Sequence, residues 1–232
     1  MTEDDVQILE KTAAYEGTFR IDRYRFKHRL HDGGWSGEIA REVFDRGHVA
    51  AVLLYDPARD SVVLIEQFRI GALASTARLK KRGPWLIEAV AGVIEAGESA
   101  EDVVRREAAE EAGLEPSDLI PMLDYLSSPG CMSESVALYC GRVDASAAGG
   151  VHGLDHEHED IRVLVVPFRQ AVGMVESGRI FDAHTIIALY WLALNRDGLV
   201  IFVHPNTGED LTDHAERAIW LGEKVALDLS VL

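Results

Sequence analysis

The sequence contains little cysteine, no long apolar run and few positive charges for its size. Its two cysteines, Cys131 and Cys140, are too few for a disulfide scaffold and suit a reducing compartment. No secretory signal opens the chain, and its longest apolar run, residues 186–194, is far short of the ~20 residues that a membrane span needs. These absences predict a soluble, cytoplasmic protein with no membrane partner.

The shortage of positive charge also excludes a class of partners. The formal net charge of −16 at pH 7 would repel a nucleic-acid backbone or an anionic membrane. A small phosphorylated substrate stays compatible with this charge if metal ions neutralise it locally. Solubility explains most of the acidity, but it does not explain why carboxylates cluster where they do.

The remaining pattern is that of a mixed α and β protein of 232 residues, long enough for one large domain or a domain with an appendage. Residues 1–16 are expected to form a frayed or loosely helical start. Alternating apolar residues and turn signals predict strands at residues 18–30, 35–44, 48–55, 61–68, 85–91, 119–126, 136–140, 161–166 and 199–203. Helices are predicted at residues 100–112, 167–176 and 182–194. This order indicates an α+β fold or an α/β sandwich.

The clearest helix begins after Ser99, a good N-cap, and ends before Gly113, which fits the position after a helix C-terminus. At 100° per residue, Glu107, Glu110 and Glu111 fall within an arc of about 100°. Each pair of like charges at these spacings destabilises a helix by roughly a few tenths of a kcal/mol. Such a stripe therefore favours a compensating cation.

Carboxylate ligands select hard ions, Mg²⁺ or Mn²⁺, rather than zinc. Gly92 and Gly97 permit tight turns that would bring a backbone carbonyl, such as that of Ala91, beside the carboxylates. A solvated helix in which Arg106 pairs with Glu110 explains the spacing alone equally well.

The full pattern of residues 92–114 resembles the signature of the Nudix hydrolases. It has a glycine, a glutamate, an Arg-Glu pair, a Glu-Glu pair and a final glycine followed by an aliphatic residue, each at the spacing of that signature. Ala108 is a soft departure, because a larger aliphatic residue is often seen there. The resemblance implies an α/β/α sandwich with a mixed sheet, preceded by an N-terminal antiparallel hairpin or sheet. It also implies hydrolysis of a nucleoside diphosphate linked to another moiety.

Residues from about 17 to 194 look like the bacterial ADP-ribose pyrophosphatases of that family. Outside the signature, the similarity rests on residues 63–69, 85–88, 127–130 and 156–162, with Pro129 at the placement seen in this subgroup. It implies Mg²⁺-dependent hydrolysis of ADP-ribose to AMP and ribose 5-phosphate, with Mn²⁺ as the alternative ion. Another nucleoside diphosphate sugar, such as GDP-mannose, and a catalytically inactive ligand sensor are the alternatives.

The resemblance also implies roles for single residues. The implied metal ligands are Glu107, Glu111, Glu159 and the carbonyl of Ala91. Glu157 would be the general base, because a carboxylate near cations stays ionised and can accept a proton from water. Glu110 would be a further ligand or a support, and Arg106 would brace the site with Glu98.

Substrate contacts are implied at four further positions. Arg41 and Arg69 match positions that contact the diphosphate or the adenine end, where a guanidinium suits phosphate oxygens. Phe19 is the nearest candidate for stacking on adenine, and Pro129 marks the subgroup. Each of these types is, by itself, more often a structural or surface residue.

The predicted organisation has three parts. Residues 1–45 would be an N-terminal β region that forms a homodimer, residues 46–197 the hydrolase domain, and residues 198–232 an extension of unknown role. The resemblance implies that the N-terminal strands cross to the partner and help to form each site. The loop at residues 71–84, with its basic cluster, departs from the family pattern.

Overall fold

The computed structural model describes residues 1–75 and 82–201. Its strands are β1 (Val6–Glu16), β2 (Arg20–His28), β3 (Ile39–Asp45), β4 (Val49–Asp56), β5 (Ser61–Phe68), β6 (Trp85–Glu88), β7 (Val90–Val93), β8 (Asp118–Leu126), β9 (Ser135–Arg142), β10 (Val151–His152) and β11 (Ile161–Pro167). Its α-helices are α1 (Ile70–Ala74), α2 (Ala100–Ala112), α3 (Phe168–Glu176) and α4 (Ala183–Ile201). Short 3-10 turns cover Glu3–Asp5 and Asp155–Glu157.

The strands form two sheets. The first is antiparallel, in the order β1-β2-β3. The second has eight strands along the path β10-β11-β5-β4-β9-β8, with β6 beside β5 and β7 beside β4. Strands β4 and β9 run parallel and the other pairs are antiparallel, so this sheet is mixed. The predicted α+β sandwich with an N-terminal antiparallel sheet is confirmed.

The core lies around β4, whose eight residues are all buried. On one face of the sheet, Val103, Val104 and Ala108 of α2 join a cluster with Val52 of β4 and Ile65 of β5. Burying the apolar side of α2 stabilises its position on the sheet, at roughly 25 cal/mol per Å² of apolar surface removed from water. This packing fixes where the acidic side of the helix points.

Both predicted caps of α2 are confirmed. The Ser99 hydroxyl accepts the Asp102 amide at 3.2 Å, and the Asp102 carboxylate accepts the Ser99 amide at 3.3 Å. Gly113 has a φ of +65°, and its amide donates to the carbonyl of Ala109. A positive φ at the residue after a helix favours glycine, which has no Cβ to clash.

The expectation for the start of the chain was wrong. Residues 6–16 form β1, which pairs with β2 over its length, and every side chain of β1 is exposed. A strand without a buried face has no apolar alternation to reveal it. The predicted strand at residues 199–203 was also wrong for residues 199–201, which complete α4.

Several expectations fall partly outside the described residues. Of the loop at residues 71–84, α1 and residues 82–84 are described, and residues 76–81, with most of the basic cluster, lie outside. Most of the predicted extension, residues 202–232, lies outside as well. Within the described ranges, no helix has the length and apolarity to cross a membrane. The division at residues 45 and 197 remains a prediction.

Candidate active site

The acidic side of α2 faces the loop between β10 and β11 across a cleft of about 690 Å³. Eight of the residues singled out in the sequence line this cleft: Arg69, Ala91, Arg106, Glu107, Glu110, Glu111, Glu157 and Glu159. Glu98, the expected partner of Arg106, lines it too. The fold therefore brings two carboxylates of a distant loop to the glutamates of the helix.

One hydrogen bond holds the loop against the helix, and a second orders the loop itself. The Gly153 amide donates to the carbonyl of Glu110 at 3.2 Å, and the Leu154 amide donates to Glu159 Oε2 at 3.1 Å. Between the two loop glutamates, His158 has a φ of +57°, in the left-handed region that non-glycine residues seldom adopt. This turn separates Glu157 from Glu159, and both side chains line the cleft.

The first glycine of the signature, Gly92, leaves room for the side chain of Glu107. A Cβ on Gly92 would lie 1.8 Å from Glu107 Oε1 and 2.5 Å from its Cγ. Glu107 therefore packs directly over the backbone of β7. Any larger residue at position 92 would displace the carboxylate from the cleft.

Glu111 lies at the base of the cleft and is 3% exposed. Its carboxylate accepts the Ala91 amide at 3.3 Å and the Gln67 side-chain amide at 3.5 Å. Burial, followed by the negative charge of Glu107, raises the pKa of Glu111 to about 8. Burial raises the pKa of Glu107 as well, although Arg106 opposes this.

Among the described residues, Glu111 receives hydrogen bonds only from neutral amides, and Arg106 is shared by three carboxylates, so these contacts do not fully compensate the negative charge of the cluster. A divalent cation would do so, and the donors along the cleft are carboxylate and backbone oxygens, the set preferred by Mg²⁺ and Mn²⁺. The residues present therefore fit a divalent-cation centre.

Arg106 is held inside the acidic cluster. Its guanidinium donates to Glu98 at 3.2 Å, to Glu107 at 2.7 Å and to Glu110 at 3.2 Å. The brace to Glu98 and the pairing with Glu110 therefore coexist. Arg106 fixes the positions of three carboxylates, one of which comes from the loop before the helix.

Two polar residues of the site region were not singled out in the sequence. Gln67 orients Glu111, and Glu88, which is 3% exposed, accepts Arg69 Nε at 2.8 Å. Both are polar side chains buried in strands whose other residues are mostly apolar. A polar residue at a core position of a strand is the signal that would have indicated them, because burying it requires a partner.

Three proposed substrate contacts do not line the cleft of this chain. Arg41 is exposed on β3 and donates to the carbonyl of Ala40 at 2.8 Å. The ring of Phe19 packs edge-on against Phe44, with centroids 5.3 Å apart. Pro129 is exposed in the turn between β8 and β9. None of these three side chains is among the residues that line the acidic cleft.

Comparison with known proteins identifies the family. A family model described as "NUDIX domain" matches residues 45–189. The chain belongs to the Nudix family. This Nudix protein is 51% identical over 196 residues to an ADP-ribose pyrophosphatase of Escherichia coli (strain K12), covering 84% of this chain and 91% of that one. It is 44% identical over 194 residues to the ADP-ribose pyrophosphatase of Haemophilus influenzae, covering 84% and 88%.

More distant similarities complete the comparison. A GDP-mannose pyrophosphatase of Pectobacterium atrosepticum is 35% identical over 188 residues, covering 79% of the Nudix protein and 92% of that chain. A solved structure titled "Crystal structure of ADP compounds hydrolase" superimposes with a TM-score of 0.65 at 16% identity, covering 84% and 96%, and shares the fold. A second family model, "Dopa 4,5-dioxygenase family", matches residues 157–231. This match overlaps the end of the Nudix match and covers nearly all of residues 198–232.

Proposed function

We propose that this Nudix protein hydrolyses the pyrophosphate bond of ADP-ribose, giving AMP and ribose 5-phosphate, with Mg²⁺ as its cofactor and Mn²⁺ as the alternative ion. The observation that supports this most is the meeting of Glu157 and Glu159 with Glu107 and Glu111 in one cleft. Identity of 51% to a relative named ADP-ribose pyrophosphatase supports the choice of substrate.

The carboxylates of Glu107, Glu111 and Glu159, with the carbonyl of Ala91, would hold the metal. When bound, a divalent cation neutralises the diphosphate charge and acidifies water. The Gln67 amide and the backbone of β7 orient Glu111, and the Leu154 amide orients Glu159. These contacts fix the ligands before substrate arrives, which keeps the cost of reorganisation low.

Glu157 would act as the general base. Its side chain is 56% exposed, unlike the buried Glu111, so it is free to reach a water at the cleft. It would accept the proton as that water attacks phosphorus. Arg69 lines the same cleft and would contact the diphosphate, while Arg106 and Glu110 hold the geometry of the helix side.

GDP-mannose is the second candidate substrate, because the same machinery serves other nucleoside diphosphate sugars. The relatives of that name are more distant, at 35% to 39% identity, which favours ADP-ribose. An inactive ligand sensor is disfavoured, because a sensor has no need of glutamates that converge on one cleft.

A substrate panel tests the proposal. ADP-ribose and GDP-mannose are incubated with the protein at equal concentration, with Mg²⁺ or with EDTA, and products are separated by anion-exchange chromatography. We expect AMP and ribose 5-phosphate from ADP-ribose with Mg²⁺, and no turnover with EDTA. Faster release of GMP from GDP-mannose would reassign the substrate, and inactivity on every diphosphate would revive the sensor.

We further propose that the protein acts as a homodimer joined through residues 1–45, with residues 46–197 as the catalytic domain and residues 198–232 as an extension without an assigned role. Strand β1 is exposed along its whole length, including Ile8 at 54% and Tyr15 at 58%. A partner covering this sheet would bury these side chains and bring Arg41 and Phe19 to a second cleft. Light scattering coupled to size exclusion tests the dimer.

We also propose that the protein is cytoplasmic. Its two unpaired cysteines support this location, because a reducing compartment keeps thiols free.

A further inference from the structure

A second group of metal-type side chains lies outside the acidic cleft. Glu88, Asp182 and His184 each offer one donor atom, and these atoms all lie within 4.8 Å of one another. Glu88 ends β6, and the other two residues flank the first residue of α4. The Ala89 amide donates to the Thr185 hydroxyl at 2.7 Å, which ties the strand to the helix start. The fold therefore holds the three side chains together through two fixed elements.

Two buried atoms of this group have no hydrogen-bond partner in the described part of the chain: Asp182 Oδ1 and His184 Nε2. The Asp182 side chain is only 8% exposed. Its other oxygen, Oδ2, accepts the Thr185 amide at 3.0 Å and lies 3.3 Å from His184 Nε2. Leaving a buried polar atom unpaired costs about 1–3 kcal/mol, so Asp182 Oδ1, which has neither a hydrogen bond nor an ion pair among the described residues, indicates a missing ligand.

The charge at this place points to a cation. Glu88 and Asp182 are both buried acids, and Arg69 donates to Glu88 at 2.8 Å. Burial raises the pKa of Glu88, the Arg69 charge opposes this, and the charge of Asp182 adds to the rise. Two buried carboxylates facing one guanidinium leave a negative charge that a divalent ion would neutralise.

We propose that Glu88, Asp182 and His184 form a second divalent-cation site, selective for a transition-metal ion such as Zn²⁺ over Mg²⁺. An imidazole nitrogen with two carboxylate oxygens suits zinc, whereas Mg²⁺ takes oxygen ligands and retains water. In a tetrahedral zinc site with ligands at ~2.0–2.2 Å, the donor atoms lie ~3.3–3.6 Å apart, so atoms now up to 4.8 Å apart would move towards one another by at most ~1.5 Å. Water completes the coordination.

This site uses none of the glutamates of the acidic cleft, although Glu88 also accepts Arg69, which lines that cleft. The alternative for Asp182 is a purely structural role as the N-cap of α4, to which its bond to the Thr185 amide already contributes. An N-cap needs neither His184 nor a metal. Metal binding therefore separates the two explanations.

The test is a Zn²⁺ titration of the full chain in competition with a chromophoric chelator. The parent protein carries Glu107→Gln and Glu111→Gln, which weaken the catalytic centre, so that the remaining binding reports other sites. On this parent, His184→Ala should remove one equivalent of bound Zn²⁺ or weaken it by ~100-fold. The matched control His31→Ala, at an exposed position, should bind as the parent does. Mg²⁺ at millimolar concentration should not displace the Zn²⁺.

A second variant keeps the test decisive if His184→Ala unfolds. Asp182→Asn preserves an N-cap side chain but removes the charge, so it should fold, as judged by circular dichroism, and still lose the same Zn²⁺ equivalent. Equal Zn²⁺ stoichiometry and affinity in the parent and a folded variant would overturn the proposal. Hydrolysis is not the readout, so failure of the diphosphatase assay leaves this result interpretable.

Discussion

Replacing Gly92 with alanine should disable the acidic cleft without unfolding the protein. The new Cβ would lie 1.8 Å from Glu107 Oε1, whereas non-bonded atoms rest at about 3.5–4.0 Å. The carboxylate must therefore retreat by roughly 1.7 Å or more. A misplacement of about 1 Å at a catalytic centre costs on the order of 100-fold in rate. We expect kcat/KM for ADP-ribose to fall by at least that factor.

The assay is Mg²⁺-dependent release of AMP, measured together with thermal unfolding. Because the clashing group is the side chain of Glu107, which can swing away, the Tm should change little. Gly173→Ala in α3 is the matched control, since its Cβ would meet no atom within 4 Å. This variant should keep its activity and gain up to about 1 kcal/mol of stability. Activity of Gly92→Ala within a few-fold of the unmodified protein, at an unchanged Mg²⁺ requirement, would refute the reasoning.

Three further substitutions test separate parts of the structure. Glu157→Gln should lower kcat by ~10²–10⁴-fold without changing the Mg²⁺ titration, because it removes the base and no ligand. Glu111→Gln should instead raise the Mg²⁺ concentration needed for half-maximal activity. Asp56→Asn should destabilise the fold at pH 7 by about 2 kcal/mol in urea unfolding, because the buried carboxylate accepts the Ala145 amide and the Arg59 guanidinium. Burial alone would raise the pKa of Asp56, but these hydrogen bonds hold that pKa below its ordinary value of 3.8. The stabilisation that the ionised carboxylate provides is therefore present above pH 3.8 and is lost as the pH falls further.

Each of these outcomes has a control and a contrary result. Glu115→Gln, at an exposed position, should leave turnover unchanged, and normal turnover of Glu157→Gln would contradict its role as base. An unaltered Mg²⁺ titration of Glu111→Gln would argue against ligation. Asp32→Asn is the exposed control for the buried aspartate. A stability difference for Asp56→Asn that is as large at pH 3 as at pH 7 would contradict the assigned pKa.

Local sequence determined some elements of the fold and not others. The ends of α2 were predictable because Ser99 and Gly113 act through neighbouring backbone atoms, which the sequence alone specifies. Strand β1 was not, because its hydrogen bonds come from β2 and its exposed side chains carry no periodic burial. Tertiary pairing decides such a strand, and pairing is invisible in a short window of sequence.

The candidate site divides in the same way. The helix glutamates follow from fixed spacing, because residues three and four apart share one helix face. Gln67 and Glu88 acquire their partners only when β5 and β6 align beside the helix, so the sequence can mark them as polar residues in buried strands but cannot indicate which groups they meet. The absence of Arg41 and Phe19 from the cleft lining also could not be predicted, because it depends on where the first sheet lies relative to the second.

The hydrogen bond from the Gly153 amide to the Glu110 carbonyl anchors the loop to the C-terminal part of α2. Extra residues inserted before this anchor, between the exposed residues Ser146 and Ala147, would bulge into solvent and leave the loop carboxylates in register with the helix. One residue inserted after it, at 154–158, would rotate Glu159 away from the Leu154 amide that holds it. Tolerance of length variation in this connection should therefore change abruptly at Gly153.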